Sequence, residues 1–147
     1  MPNEILNPDG STTTLAPGVS PEAYIAEKVA AASRPAVLDD DGNEVVPAVV
    51  PGPDDVPVEV TPEELKVHPR HLPFARALRL GNLRAERDEK LAELDLEALK
   101  AWENGDDPAL IKAQKQALRD LPPVAEAHLA TLADTEAIAA YLPAELG

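Results

Sequence analysis

The chain has 147 residues, no cysteine and a formal net charge of −14. This length admits one domain, or a small domain with extended appendages, and the missing cysteines exclude a disulfide frame, a thiol nucleophile and a Cys-based zinc site. Apolar residues make up 44% but aromatic residues only 3%, and since each large ring buries about 150–250 Å², the core must be thin or completed by a partner.

In chain order, residues 1–19, rich in Thr, Pro and Gly, read as an extended tail. Ser20-Pro21-Glu22 then opens a helix with a capping hydroxyl, a proline in the first turn and an acid beside it. That helix runs to Ala32, with Tyr24, Ile25, Val29 and Ala32 at helical spacing. Ala36-Val37-Leu38 and Glu44-Val45-Val46 flank the turn residues Asp39 to Asn43 and predict a β-hairpin. The cluster Pro47, Pro51, Pro53 and Pro57 holds the following stretch extended, because proline fixes its own φ and biases the residue before it. Residues 1–60 are thus expected to form an acidic, proline-rich arm with one short helix and a hairpin.

From Thr61 onward the pattern is helical. Thr61-Pro62-Glu63-Glu64 starts a short helix that Pro69 ends. After Pro73, Leu80, Leu83, Arg87, Leu91, Leu94, Ala98 and Trp102 recur at steps of three and four, predicting a helix of about 25–30 residues. Asn104-Gly105 stops it. Asp106-Asp107-Pro108 caps the next helix, whose Leu110, Ala113, Ala117, Leu118 and Leu121 face one way. Pro122-Pro123 ends that helix, another follows from Val124 to Leu132, and a last one begins at Asp134-Thr135-Glu136 and carries Ile138, Tyr141 and Leu142. The short connection over 104–107 favours an antiparallel pairing. The expected fold class is mainly α: a helical hairpin or small bundle over 61–147, preceded by the extended arm.

Charge is distributed unevenly. Residues 1–60 carry 11 acidic and 2 basic side chains, and residues 61–147 carry 16 and 11. Lys66 to Lys90 holds seven Lys or Arg against Glu86, Asp88 and Glu89. An acidic chain repels nucleic-acid phosphates, so this basic strip is expected to be a solvated face or a docking face for an acidic surface, the chain's own N-terminal half among the candidates. No run approaches the roughly 20 apolar residues of a membrane span. With Glu4 and Asp9 and no apolar centre, the N-terminal stretch does not have the pattern of a signal peptide, so a soluble cytosolic protein is expected.

Motifs that carry chemistry are scarce. His68-Pro69-Arg70-His71 puts two imidazoles three apart, but Pro69 breaks the turn that would align them on a metal, and two exposed loop histidines are expected. Asp39, Asp41 and Asn43 match the first ligands of a calcium loop; Glu44 stands where its glycine belongs and Val50 where its bidentate glutamate belongs. Ser11, Ser20 and Ser33 lack a Gly-x-Ser-x-Gly turn, and the scattered glycines form no phosphate loop. No catalytic, metal or cofactor-binding residue is assigned, and no enzymatic activity is expected.

Two charged segments remain. Arg84, Arg87, Asp88, Leu91 and Asp95 follow the pattern Arg-x-x-Arg-Asp-x-x-Leu-x-x-x-Asp, and Gln116-Ala117-Leu118-Arg119-Asp120-Leu121-Pro122 closes the later helix. Together they resemble the C-terminal region of bacteriophage tail or tail-fibre assembly chaperones, over Leu83 to Pro122, about a quarter of the chain. Leu96 stands where that family has Trp, and Gln114-Lys115 where it has Tyr-Arg. The resemblance implies a non-enzymatic protein that binds a tail, tail-fibre or other virion protein in the host cytoplasm during assembly. The alternative is a permanent virion component of the tail, neck or capsid surface, oligomeric in its assembly, whose arm contacts neighbouring subunits. Arg84, Arg87, Asp88, Trp102, Arg119 and Asp120 are the candidates for partner binding or helix register. Within that set, Arg84–Asp88 is an i,i+4 pair, Arg87–Asp120 is expected to fork across the hairpin, and Trp102 is expected to plug the hairpin core, recognition being its alternative role.

Overall fold

A computed structural model describes residues 3–147. The chain is about 54% helical, a mainly α fold, and divides into two compact units, 1–71 and 72–147.

In the first unit, β1 (Glu4–Leu6) pairs antiparallel with β2 (Thr12–Thr13). Gly10, at φ +91°, makes the reversal between them. Asp9 accepts hydrogen bonds from the Ser11 N–H at 2.9 Å and the Ser11 hydroxyl at 2.6 Å. The hydroxyl bond, then the amide bond, holds the Asp9 carboxyl below its ordinary value. α1 (Pro21–Ala32) starts as expected, with the Ser20 hydroxyl accepting from the Ala23 N–H, and none of its side chains is fully buried. β3 (Val37–Leu38) and β4 (Glu44–Val46) form the expected hairpin. Asp39 shapes its turn by accepting from the N–H groups of Asp41 and Asn43 at 3.0 and 2.8 Å.

Residues 1–19 do not form an extended tail, and the proline-rich stretch after Pro47 does not remain an unpacked arm. β5 (Val58–Val60) pairs antiparallel with β1, Glu4 opposite Val60, giving a three-stranded sheet in the order β2-β1-β5. Ile5, Leu6 and Val60 are buried there. α2 (Pro62–Leu65) follows, with the Thr61 hydroxyl accepting from the Glu64 N–H and the Glu64 carboxylate from the Thr61 N–H.

The compositional boundary at 60–61 also differs from the structural one, for a physical reason. Arg70 donates to the carbonyls of Val56 and Pro53, both at 2.8 Å, which ties the residues after α2 back to the segment before β5. His71 Nδ1 lies 2.6 Å from the Gly10 carbonyl; since a carbonyl only accepts, that nitrogen carries the proton. His68 Nδ1 accepts from the Arg70 N–H at 3.1 Å. The two histidines are therefore half-buried parts of this closure, not the exposed loop residues expected.

The second unit is built on α3 (His71–Asn104), a helix of 34 residues that is longer than its apolar stripe suggested. Pro73 lies in its first turn, where the missing N–H costs nothing. α4 (Ala109–Arg119), α5 (Leu121–Leu129) and α6 (Thr135–Ala140) complete the unit. α4 ends at Arg119, just before the expected break, but the next helix starts at Leu121 and not Val124, with Pro122 and Pro123 in its first turn. Leu72 and Leu83 of α3 pack with Leu121, Ala125, Leu129 and Ile138, and Leu80, Leu132, Tyr141 and Leu146 border that core.

Two arginines on the basic strip fasten this core. Arg76 donates to the carbonyls of Leu129 and Leu132 at 3.1 and 2.7 Å. Arg79 donates to the Tyr141 carbonyl from Nε at 3.0 Å and Nη2 at 2.6 Å. Leu129 ends α5, and Leu132 and Tyr141 lie just beyond α5 and α6, so the guanidinium groups tie down the chain where it leaves both helices. Arg76 and Arg79 are thus internal scaffolding and not a solvated face, while Arg70 of the same strip binds the N-terminal half.

Candidate partner-binding site

The turn between α3 and α4 is set by local sequence. The Asp106 N–H bonds the Ala101 carbonyl at 2.8 Å and the Gly105 N–H bonds the Trp102 carbonyl at 3.2 Å. With Gly105 at φ +74°, this is the paired closure that ends helices at a left-handed glycine. Asp107 then accepts from the Ala109 N–H at 3.0 Å. Beyond the turn, Leu94 and Leu118 are buried, and Lys115 forms a close ion pair with Asp95, joining α4 to α3.

The sequence-predicted residues fall into three places. Arg84 and Arg87 border the crevice where Leu121, Pro122 and Ala125 meet Leu80 and Leu83. They sit where the helices cross, but the expected bonds do not form. Arg87 donates instead to the adjacent Asp88, from Nε at 2.9 Å and Nη2 at 2.8 Å, so Asp88 pairs with Arg87 and not Arg84. Asp120 accepts from Gln116 of its own helix end at 2.9 Å, which takes the place of the Arg87–Asp120 fork. Arg119 is exposed in the last turn of α4. Register comes from Lys115–Asp95 and from the carbonyl closures by Arg76 and Arg79. The i,i+3 and i,i+4 patterns gave no sign of those contacts, because their partners lie far along the chain or are backbone atoms.

Trp102 is the clearest correction. Its side chain is not a core plug; it is 76% exposed in the last turn of α3. Ala101, its neighbour, takes the buried place. The reason is angular: the buried residues Leu83, Leu94 and Ala101 keep one face, while Trp102 lies about 100° round from Ala101. Leu96 and Leu99 are also exposed and continue an i, i+3, i+6 row with Trp102. Residues three apart on a helix are surface neighbours, so the three form one ridge. Leu110, 73% exposed in the first turn of α4, is the first large apolar residue after the Asn104–Pro108 connection.

This apolar tip is rimmed by acid. Over residues 93–107 there are six carboxylates, Glu93, Asp95, Glu97, Glu103, Asp106 and Asp107, against Lys100, and all seven side chains are exposed. Elsewhere in the unit, a crevice of about 280 Å³ is lined by Pro73, Arg76, Leu80, Glu126 and Leu129 among others; its guanidinium is committed to backbone carbonyls. Among the described residues, no group of three His, Asp or Glu is placed to hold a metal ion, and no helix is long and apolar enough to cross a membrane. In comparisons with protein-family models, curated proteins and solved structures, none matched this chain.

Proposed function

We propose that the protein acts without catalysis, by binding a partner polypeptide, and that its role is the assembly of a bacteriophage tail or tail fibre. The single observation that carries the binding reading is the exposed tryptophan at the α3–α4 tip, continuous with Leu96 and Leu99, with Leu110 also exposed where α4 begins. Exposed apolar patches of this kind mark interaction sites, and tryptophan is among the residues that most often anchor them. The tail-assembly role is supported by the likeness of Arg84 to Asp95 and Gln116 to Pro122 to the C-terminal region of tail assembly chaperones.

The second reading is a permanent virion component that uses the same tip as a docking module. The exposed hairpin favours it: Val37, Leu38, Val45 and Val46 leave much of their surface to solvent, and a two-stranded sheet alone is marginal in water. A phage complementation assay tests the function, with Trp102→Ser and Leu99→Gln as the variants. Assembly should fail with both while each variant remains folded. Purified particles then separate the readings: a chaperone is absent from them, and a virion component is present in fixed copy number.

A further inference from the structure

The chemistry of the tip narrows what can dock there. We propose that the α3–α4 tip receives a basic polypeptide segment with an apolar face, a deduction that rests on the partner-binding reading above. The apolar ridge Leu96-Leu99-Trp102 supplies the contact surface, together with the exposed Leu110 at the start of α4. The six-to-one excess of carboxylates over residues 93–107 supplies the sign. Within this group only Asp95 has a cross-helix counter-charge, Lys115.

Charge decides among the occupants. A second copy of this chain would bring another acidic rim, on a molecule already at −14, and like charges brought together at an interface oppose binding. A neutral apolar partner would gain the ridge but nothing from the rim. A segment with leucine-like side chains on one face and Lys or Arg along its edges satisfies both. Its cations would sit beside Glu97, Glu103 and Asp106, within the roughly 8–10 Å over which charges remain unscreened near physiological salt. Complementarity of this kind acts mainly on encounter rate and partner choice.

Three synthetic amphipathic peptides of about four helical turns test the assignment, with one leucine pattern and a polar face of Lys, Gln or Glu. Trp102 is the only tryptophan in the chain, so its emission reports on the tip alone, and calorimetry supplies affinities in low and high salt. The Lys peptide should shift the emission to the blue and bind at least about tenfold more tightly than the Gln peptide at low salt, the gap closing as salt rises. The Glu peptide should not bind. Glu97→Gln, Glu103→Gln and Asp106→Asn together should remove the advantage of the Lys peptide and leave binding of the Gln peptide unchanged. The double variant Leu99→Gln, Leu110→Gln should abolish binding of both.

Equal binding of the Lys and Gln peptides would overturn the basic-partner assignment while leaving the tip a docking site. Binding that survives the double variant, or no binding of any peptide to the folded protein, would overturn the docking site itself. A doubling of mass in solution, with emission that shifts as protein concentration rises, would make the occupant a second copy and overturn the proposal.

Discussion

Replacing Trp102 by alanine separates a docking residue from a core residue by magnitude. An indole side chain buries up to about 250 Å² when fully enclosed. Trp102 is 76% exposed, so its replacement returns only about 60 Å² to water. At about 25 cal/mol per Å² this is about 1.5 kcal/mol, and an upper limit because the unfolded chain is itself partly compact. Alanine recovers roughly 0.5 kcal/mol through its higher helix propensity. The expected net loss is about 1 kcal/mol, which lowers Tm by about 4–8 °C in a unit of this size. A core aromatic would cost about 3–5 kcal/mol. Leu83, 2% exposed in the same helix, provides the internal standard, since Leu83→Ala should cost about 2–5 kcal/mol. Thermal and urea melts followed by helical circular dichroism give both values. A loss from Trp102→Ala as large as that from Leu83→Ala, or a wild-type indole shielded from a soluble quencher, would refute the placement of Trp102.

Other expectations follow from the same contacts. Arg79→Met should remove both bonds to the Tyr141 carbonyl; bonds to a charged group contribute about 1.5–3 kcal/mol each, and hydrogen exchange should show α6 opening first. Limited proteolysis should spare Ile5 and Leu6, whose strand is buried and paired, and cut first within residues 47–52 or 15–19; early cleavage between Glu4 and Leu6 would refute the three-stranded sheet. The Asp39 carboxyl is held below its ordinary value, chiefly by the Asn43 N–H. A depressed value means the turn is stabilised at pH above the ordinary aspartate range, near 3.9, and loses that contribution as pH falls through the lowered value. An NMR titration in which Asp39 protonates at or above the ordinary value would contradict the turn geometry.

What could be read from the chain and what could not divide along a physical line. Starts and stops of helices are local events. Ser20, Thr61 and Gly105 announced theirs because a hydroxyl cap or a left-handed glycine needs only the neighbouring three or four residues. The hairpin at Asp39 was legible for the same reason. The sheet was not: β1 and β2 have three and two residues, too few for alternation to show, and β1 meets a strand that follows more than fifty residues later. The prolines around β5 also argued for an extended arm, and pairing with β1 together with the Arg70 bonds packed it instead. At the tip, the same blind spot worked in reverse. Trp102 fits a list of apolar spacings, but one step along a helix is about 100°, and Ala101 held the inward position instead.

The pairing of Glu4 with Val60 also sets a timetable during synthesis. Translation proceeds at about 5–20 residues per second, so β1 waits roughly 3–11 s for the strand on its far side. Until then only its hairpin partner Thr12–Thr13 can join it. Loop closure over such a distance comes late and slowly compared with local turns. The nascent first unit therefore exposes Ile5 and Leu6 for seconds, while α1 and the Asp39 turn can already form. Any holding factor in the cell would meet these two side chains before Arg70 and His71 arrive to fasten them in.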